Sequence, residues 1–355
     1  MALQTPSRTR YTFDRYLNAR TAHSPTFSPD GRSVAFVSDI TGVPQLWQVP
    51  TEGGWPDQLT FTGDRVMSGH YAHHRPDVVF GMDSGGNERE QLFLLRGSEV
   101  SELAVNPDAI HTFGAIAWTD GQVAYADNRR HPAHFDVYLR DLEGSSERCV
   151  YQQDGSNFPV DWSRDGSQIL IQRRTGSLDT ELFLLHLGSG EVTHLTPHTA
   201  PVTYESASFT PDGRSIYLTT DQDAEYRRAG RMDLQTRRIE FLTPDEYDVD
   251  TLSLSPDGRF LALVRNLEGY ERLSVRSLET GEEVEAPGLP DGVAMQPEWS
   301  PDGRKIAFTF TGPTHNPNIW VWDLDGRACR QVTCVASGGI SGSSTVVSSA
   351  GGGLR

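Results

Sequence analysis

The chain of 355 residues lacks several features that would have fixed its class at once. It has three cysteines, Cys149, Cys329 and Cys334, which do not form a disulfide framework. No apolar run reaches the length of a transmembrane helix. The first 20 residues are polar and contain no apolar core of a signal peptide. Together these absences predict a cytoplasmic protein.

Positive charge is also scarce. The chain has 31 basic against 48 acidic residues, for a net charge of −17. Nucleic acids and anionic membranes attract basic surfaces. We therefore expect neither a nucleic acid nor a membrane as a partner.

Long helical periodicity is missing outside residues 11 to 20, and a repeated phrase stands in its place. The phrase, typically Phe-Ser-Pro-Asp-Gly-Arg, occurs at 27–32, 162–166, 209–214, 254–259 and 299–304, in shortened form at 118–121 and in worn form at 72–77. Its aspartates recur at intervals of 45 to 47 residues from Asp120 onward, and Asp30 lies two periods earlier. A period of this length predicts an all-β fold, a seven-bladed β-propeller of four-stranded antiparallel blades like those of TolB and WD40 proteins.

Each repeat is interpreted as four strands. The phrase forms the first turn, in which Pro presets φ, Asp tolerates the second position and Gly adopts the left-handed conformation. Short β-branched runs such as Val34–Val37 follow as buried second strands, and the polar fourth strands fit exposed outer edges. Tryptophans in equivalent strand positions are expected in the core: Trp47, Trp118, Trp162, Trp299, Trp320 and Trp322.

The two chain ends differ from the repeats. Residues 1–23 form a leader with a short helix, which Thr12 would cap and in which Phe13, Tyr16 and Leu17 share one face. Residues 24–334 form the propeller. Residues 335–355, rich in Ser and Gly, are predicted to be a flexible tail.

Five segments carry a resemblance to a known family: 13–17 (FDRYL), 24–31 (SPTFSPDG), 45–49 (QLWQV), 58–60 (QLT) and 80–89 (FGMDSGGNER). Together they resemble the amino-terminal propeller of the prolyl oligopeptidase (S9) family of serine peptidases, close to its acylaminoacyl-peptidase and dipeptidyl-peptidase branches. The resemblance covers residues 11 to 334. The repeated phrase alone is less specific, since TolB-like propellers resemble it too.

The resemblance implies that the propeller does no chemistry and caps an α/β-hydrolase domain that carries a Gly-x-Ser-x-Gly nucleophile elbow. The nearest match, Gly339–Ser343, fails at its last position and has no strand before it. No catalytic residue and no cofactor are therefore expected, and a truncated or frame-shifted member is indicated. The predicted role is to gate peptide access to a hydrolase domain, and the alternative is a stand-alone TolB-like interaction scaffold.

Topology predicts the face that a hydrolase domain or a substrate peptide would contact. In a four-stranded meander the loops between strands two and three lie on the face where both chain ends emerge. These loops are predicted at 83–91, 127–135, 173–180, 221–226, 266–271 and 311–318. Their polar residues are the candidate contacts: Asp83, Asn87, Glu88, Arg129, Arg130, Arg173 and Arg174.

Metal sites are weaker interpretations. His70, His73 and His74 lie close together, but zinc needs further ligands at defined spacing, so an irregular hairpin is favoured. The segment from Asp83 to Glu88 has too few oxygen ligands at alternate positions for calcium, which favours a connecting loop. No metal is predicted.

Overall fold

The fold, seen in a computed structural model that describes residues 11–340, consists almost entirely of β-strands. One short helix, α1 (Phe13–Leu17), precedes 28 strands, which pair into six sheets. The prediction of an all-β chain is confirmed. The described residues include no helix that is long and apolar enough to cross a membrane.

The strands follow one another in seven meanders of four, each strand pairing with the next along the chain. The first meander contains β1 to β4: Ala22–Phe27, Ser33–Ser38, Gln45–Pro50 and Asp57–Gln58. The second contains β5 to β8: Val66–Tyr71, Asp77–Met82, Gln91–Arg96 and Glu99–Ala104. The third contains β9 to β12: His111–Ile116, Gln122–His131, His134–Asp141 and Glu147–Tyr151. The fourth contains β13 to β16: Ser156–Trp162, Gln168–Gly176, Asp179–His186 and Val192–His194.

The remaining three meanders repeat the same order. The fifth contains β17 to β20: Tyr204–Phe209, Ser215–Thr220, Arg228–Asp233 and Ile239–Phe241. The sixth contains β21 to β24: Val249–Leu254, Phe260–Leu267, Tyr270–Ser277 and Glu283–Glu285. The seventh contains β25 to β28: Val293–Trp299, Lys305–Gly312, His315–Asp323 and Ala328–Gln331.

Seven meanders give six sheets because the third and fourth are joined by backbone pairing. Phe135 of β11 pairs in parallel with Ser156 of β13, and the Phe135 N–H donates to Gly155 O at 2.9 Å. The amide of Asn157, which is fully buried, donates to Phe135 O at 2.8 Å. The result is one eight-stranded sheet beside five sheets of four strands.

The repeated phrase forms the first turn as its residue types predict. In the first meander the Gly31 N–H donates to Ser28 O at 2.8 Å, and Gly31 has φ +67°. The Ser28 hydroxyl donates to Asp30 Oδ1 at 2.6 Å, and the Arg32 N–H donates to the same oxygen at 3.1 Å. Asp thus fixes the turn from within, and Gly supplies the positive φ that closes it.

In the second meander this turn lies at a different position from the predicted one. The bond that closes each turn, from Ser28 N–H to Ser33 O in the first meander, runs here from Ala72 N–H to Asp77 O. Asp77 is therefore the first residue of β6, where it is buried and accepts ion pairs from Arg75 and Arg96. The prediction that Asp77 is the turn aspartate is wrong by three residues.

Hydrophobic clusters connect each meander to the next and also the last to the first. Val37 and Val78, for example, share a cluster between the first and second meanders. Another cluster joins Phe36 of the first meander to Ile319 of the seventh. The described part of the chain has seven such clusters, one for each consecutive pair in the cycle.

The two ends of the described range, near residues 20 and 336, lie together beside this last junction. Ala19 and Ser337 form an antiparallel bridge, and the Arg20 N–H donates to Ala336 O at 2.8 Å. Val335 is buried in the cluster shared by the first and seventh meanders. The predicted flexible tail therefore begins too early, because residues 335–337 pack and pair; residues 341–355 lie outside the described range.

Other predictions for the chain ends are corrected as well. Helix α1 forms over the predicted residues, but the Thr12 side chain makes no capping hydrogen bond, and the apolar residues Phe13 and Leu17 are exposed. The Arg20–Ala336 hydrogen bond also joins the backbones that flank the first and seventh meanders.

Candidate functional site

The predicted contact face is built largely from hairpins rather than loops. In four meanders strands two and three continue to within two residues of each other, so only 132–133, 177–178, 268–269 and 313–314 form turns. The segments 127–135, 173–180, 266–271 and 311–318, predicted as loops, are therefore mostly strand. Their polar residues lie on extended ladders, where hydrogen bonds with the facing strand limit their freedom.

Asp83, Asn87 and Glu88 lie in one of the true loops but do not converge on a ligand. Asp83 is buried and accepts an ion pair from Arg65 at 3.0 Å and the Glu88 N–H at 3.3 Å. The Asn87 carbonyl oxygen accepts the Arg89 N–H at 3.0 Å. Glu88 is exposed and has φ +59°. Asp83 and Asn87 thus hold the loop, and Glu88 remains accessible.

Arg129 and Arg130 make ion pairs within the third meander and its link to the fourth. Arg129 contacts Asp127 Oδ2 at 2.6 Å and Glu147 Oε1 at 2.6 Å. Arg130 makes two hydrogen bonds to Asp136, at 2.7 and 2.9 Å, and one to Asp154 at 2.9 Å, and these bonds raise its pKa. Both guanidinium groups are therefore committed to carboxylates of this chain.

Arg173 and Arg174 differ from each other although they are neighbours. Arg173 donates to Asn157 Oδ1 at 2.9 Å and to the Tyr151 hydroxyl at 2.5 Å, and its guanidinium lies 4.5 Å from the Phe183 ring centre. Arg174 is exposed. Of the seven candidate contacts, Glu88 and Arg174 are the ones whose charged groups point to solvent without such ties among the described residues.

A second candidate site, which sequence reasoning missed, is a central cavity at the opposite face. It has a volume of about 410 Å³ and is lined by first strands and first turns of all seven meanders. Two sets of equivalent positions supply most of the residues that line it. Equivalent positions in the seven meanders are identified from the hydrogen bond that closes each first turn, which runs from Ser28 N–H to Ser33 O in the first meander.

In each meander the turn-closing residue is the one whose N–H donates the hydrogen bond that closes the first turn, such as Ser28. The outer set, here called the rim, consists of the residue that directly follows it. The seven rim residues are Pro29, His73, Trp118, Arg164, Pro211, Pro256 and Pro301. Proline suits this position because its fixed φ matches the first corner of the turn. Three consecutive meanders, the second to the fourth, depart from proline, and their side chains contact each other.

These three residues form a cluster, here called the rim cluster. The His73 ring stacks on Trp118 with 4.0 Å between ring centres and 12° between planes. The Arg164 guanidinium lies 4.4 Å from the centre of the Trp118 ring, a distance at which a cation is attracted to an indole face. Burial lowers the pKa of His73, so His73 is neutral near pH 7 and its Nε2 donates to Ile116 O at 3.0 Å. Trp118 is therefore a rim residue and not the core residue that the sequence predicted.

The inner set lies two residues before the turn-closing residue. Its seven members are Thr26, His70, Ala115, Asp161, Ser208, Ser253 and Glu298, and all of them except His70 and Ala115 line the cavity. The two carboxylates belong to the fourth and seventh meanders. Asp161 accepts the Phe209 N–H at 2.7 Å and its neighbour Trp162 N–H at 2.8 Å, and burial raises its pKa to about 6.

Glu298 has no such partners. Within residues 11–340 no hydrogen bond or ion pair reaches its carboxylate. Much of the residue is exposed, yet desolvation of its carboxyl group by the surrounding protein raises its pKa to about 7. A carboxylate in such surroundings favours a cationic partner.

The three neighbouring histidines do not converge. The His70 ring stacks on Phe113 with 3.9 Å between ring centres, and burial lowers its pKa to about 4. His73 packs on Trp118, and the His74 N–H donates to Asp120 at 2.7 Å. The described residues contain no group of three His, Cys, Asp or Glu side chains placed to hold a metal ion.

Comparison with known proteins finds relatives by sequence, two of which are described here, while no family model matches the chain. The chain is 27% identical over 265 residues to a putative tricorn protease homolog 2 of Streptomyces coelicolor, covering 71% of this chain. It is 23% identical over 202 residues to dipeptidyl aminopeptidase BIII of Pseudoxanthomonas mexicana, covering 54%. It spans 20% and 29% of the lengths of these two relatives.

Solved structures share the fold at low identity. A puromycin hydrolase superposes with TM-score 0.72 and 16% identity, over 94% of this chain and 56% of that one. A prolyl endopeptidase superposes with TM-score 0.71 and 13% identity, over 90% and 50%. An oligogalacturonate lyase in complex with manganese superposes with TM-score 0.69 and 16% identity, over 85% of this chain and 90% of that one. TolB from Acinetobacter baumannii superposes with TM-score 0.51 and 17% identity, over 88% of this chain and 62% of that one. In its relatives, its fold and its sequence motifs the chain is similar to the propeller domain of the prolyl oligopeptidase (S9) family of serine peptidases.

Proposed function

We propose that the chain is the non-catalytic, seven-bladed propeller of an S9 serine peptidase, and that it caps an α/β-hydrolase domain and gates peptide access to it. The seven meanders would be the blades. The cycle of seven hydrophobic clusters supports a closed ring, since each meander shares a core with both neighbours.

The position of the chain ends carries the proposal. Ala19 pairs with Ser337, and the side-chain amide of Asn316, the second residue of β27, donates to Arg20 O and Ala336 O at 3.3 Å each. Both ends therefore leave the fold beside the hairpins that join second and third strands. A domain that continues from the carboxyl end would lie against this face, where Glu88 and Arg174 are free to contact it.

The catalytic part of the proposal is tested on the purified chain. Without a nucleophile elbow it should not react with a fluorophosphonate probe and should not hydrolyse acyl-peptide or dipeptide chromogenic substrates. An active prolyl endopeptidase serves as positive control. Stoichiometric labelling of a serine in this chain would contradict the assignment.

The coding sequence downstream of codon 355 distinguishes the gating role from a stand-alone scaffold. An in-frame or frame-shifted Gly-x-Ser-x-Gly segment followed by Asp and His is expected for the peptidase. A downstream sequence without these motifs would favour the scaffold instead.

A further inference from the structure

The central cavity has a distribution of charge that its repeat symmetry does not require. Four of the seven rim positions are proline, and the one basic rim residue, Arg164, belongs to the fourth meander. The carboxylate without a partner, Glu298, belongs to the seventh. The fourth and seventh meanders are three steps apart in a cycle of seven, which is the largest separation possible, so these two charges face each other across the cavity.

Arg164 is held in place without being neutralised by a direct ion pair. Its guanidinium packs on Trp118, which is in turn stacked on His73. Among the described residues, no carboxylate lies within ion-pair distance of Arg164; Asp161 and Asp257 act on it only from farther away. The hydrogen-bonding edge of a guanidinium that is stacked by its face stays available for a carboxylate ligand.

Glu298 provides a negative charge in the cavity, on the seventh meander. Its equivalents in the fifth and sixth meanders are Ser208 and Ser253, so a carboxylate is not needed to build this strand. Because it has no cation of its own, it would gain most from a ligand that brings an ammonium group. The cavity volume of about 410 Å³ falls within the roughly 300–1,000 Å³ that is usual for ligand pockets.

We infer that the central cavity binds a short unmodified peptide as a zwitterion, with its terminal carboxylate on Arg164 and its terminal ammonium group on Glu298. Trp118 and His73 act as positioning residues that hold the guanidinium. This inference goes beyond the proposed function, because it concerns the face opposite the chain ends and needs no hydrolase domain.

Isothermal titration calorimetry of the whole chain with trialanine tests the inference, using N-acetylated and C-amidated trialanine as probes that each lack one terminal charge. Trialanine should bind, and each modification should weaken binding at least tenfold. Free alanine should bind at least tenfold more weakly than trialanine because it cannot span the cavity.

Variants then assign each charge to its partner. Glu298→Gln should bind trialanine and its acetylated form equally, since the ammonium group no longer has a counter-charge. Arg164→Pro, which restores the rim residue of four other meanders, should bind trialanine and its amide equally. Arg174→Gln, on the opposite face, is the matched control and should bind like the unchanged chain.

Several results would overturn the inference. They are absence of trialanine binding at millimolar concentration, equal binding of the three peptides, and binding of free alanine as tight as that of trialanine. Melting temperatures of the two cavity variants within a few degrees of the unchanged chain confirm that a loss of discrimination is not a loss of folding. None of these results depends on hydrolase activity, so they leave the proposed function to its own tests.

Discussion

Removing the residues that follow Cys334 should destabilise the junction between the first and seventh meanders. A chain that ends at Cys334 loses the buried Val335, the hydrogen bond from Val335 N–H to Asn318 Oδ1 at 3.1 Å, and the Arg20–Ala336 bond at 2.8 Å. Burial of a valine side chain contributes about 1.5 kcal/mol, and each hydrogen bond about 1 kcal/mol net. The expected loss in free energy of unfolding is about 3 to 4 kcal/mol.

The size of the chain sets the change in melting temperature. The unfolding entropy is about 2.1 cal/mol/K per residue, so for 355 residues a loss of about 3 to 4 kcal/mol in free energy of unfolding lowers the melting temperature by about 4 to 5 °C. Differential scanning calorimetry measures this shift, and hydrogen exchange should show faster opening of β1 and β27 than of β14 and β15. Val335→Ala in the full chain should lower the melting temperature by about half as much.

A chain that ends at Ile340 is the matched control, since it keeps every contact described here and should melt with the full chain. If the chain ending at Cys334 also melts with it, residues 335–337 do not support the junction. That result would favour the predicted flexible tail from residue 335.

Two further predictions concern the first strands and first turns. Gly114→Ala should lower the free energy of unfolding by about 3 kcal/mol, at the upper end of overpacking effects, because a Cβ there would lie 2.5 Å from both Pro159 Cγ and Pro159 O. Gly121→Ala is the control, since its Cβ would have no neighbour nearer than 3.5 Å. Equal urea midpoints of the two variants would refute the predicted clash. The hydrogen bond from the Thr210 hydroxyl lowers the pKa of Asp212 in the folded chain. Its contribution to stability is therefore fully present above about pH 4, the pKa of an unfolded Asp, and is lost as the pH falls through the lower folded pKa. Thr210→Val should lose more stability at pH 7 than at pH 2.5, and a difference in melting temperature that does not change with pH would contradict this.

The sequence predicted the strands and turns well where residue type alone determines geometry. The phrase Ser-Pro-Asp-Gly carries its own hydrogen bonds and its own positive φ, as Ser28, Asp30 and Gly31 show, so no tertiary contact is needed to recognise it. The prediction for the second repeat was wrong because Pro76-Asp77 matches the Pro-Asp dipeptide of the phrase but lies at the end rather than the start of the hydrogen-bonded turn, which Ala72 N–H closes onto Asp77 O. The position of that turn is set by backbone pairing of β5 with β6, which sequence spacing does not reveal.

The candidate site was predicted less well for two physical reasons. The sequence predicts charged residues such as Arg130 as free contacts, whereas nearby carboxylates bind them along hairpins that are longer than the predicted loops. The central cavity was missed because its residues are distant in sequence and each looks like an ordinary turn residue. A signal was nevertheless present: in an alignment of the seven turns, His73, Trp118 and Arg164 are the non-proline residues at one position.

The backbone bridge between the third and fourth meanders distinguishes their junction from the others. At other junctions single backbone hydrogen bonds join neighbouring meanders, for example Val66 N–H to Pro44 O and Val249 N–H to Arg227 O at 2.9 Å each, whereas Phe135 and Ser156 also pair as parts of two strands. Trp118 and Arg164 lie in the two meanders that share this strand pair, and Glu298 lies in the seventh meander. We therefore expect the Trp118–Arg164 contact to vary less than the distance across the cavity between Arg164 and Glu298.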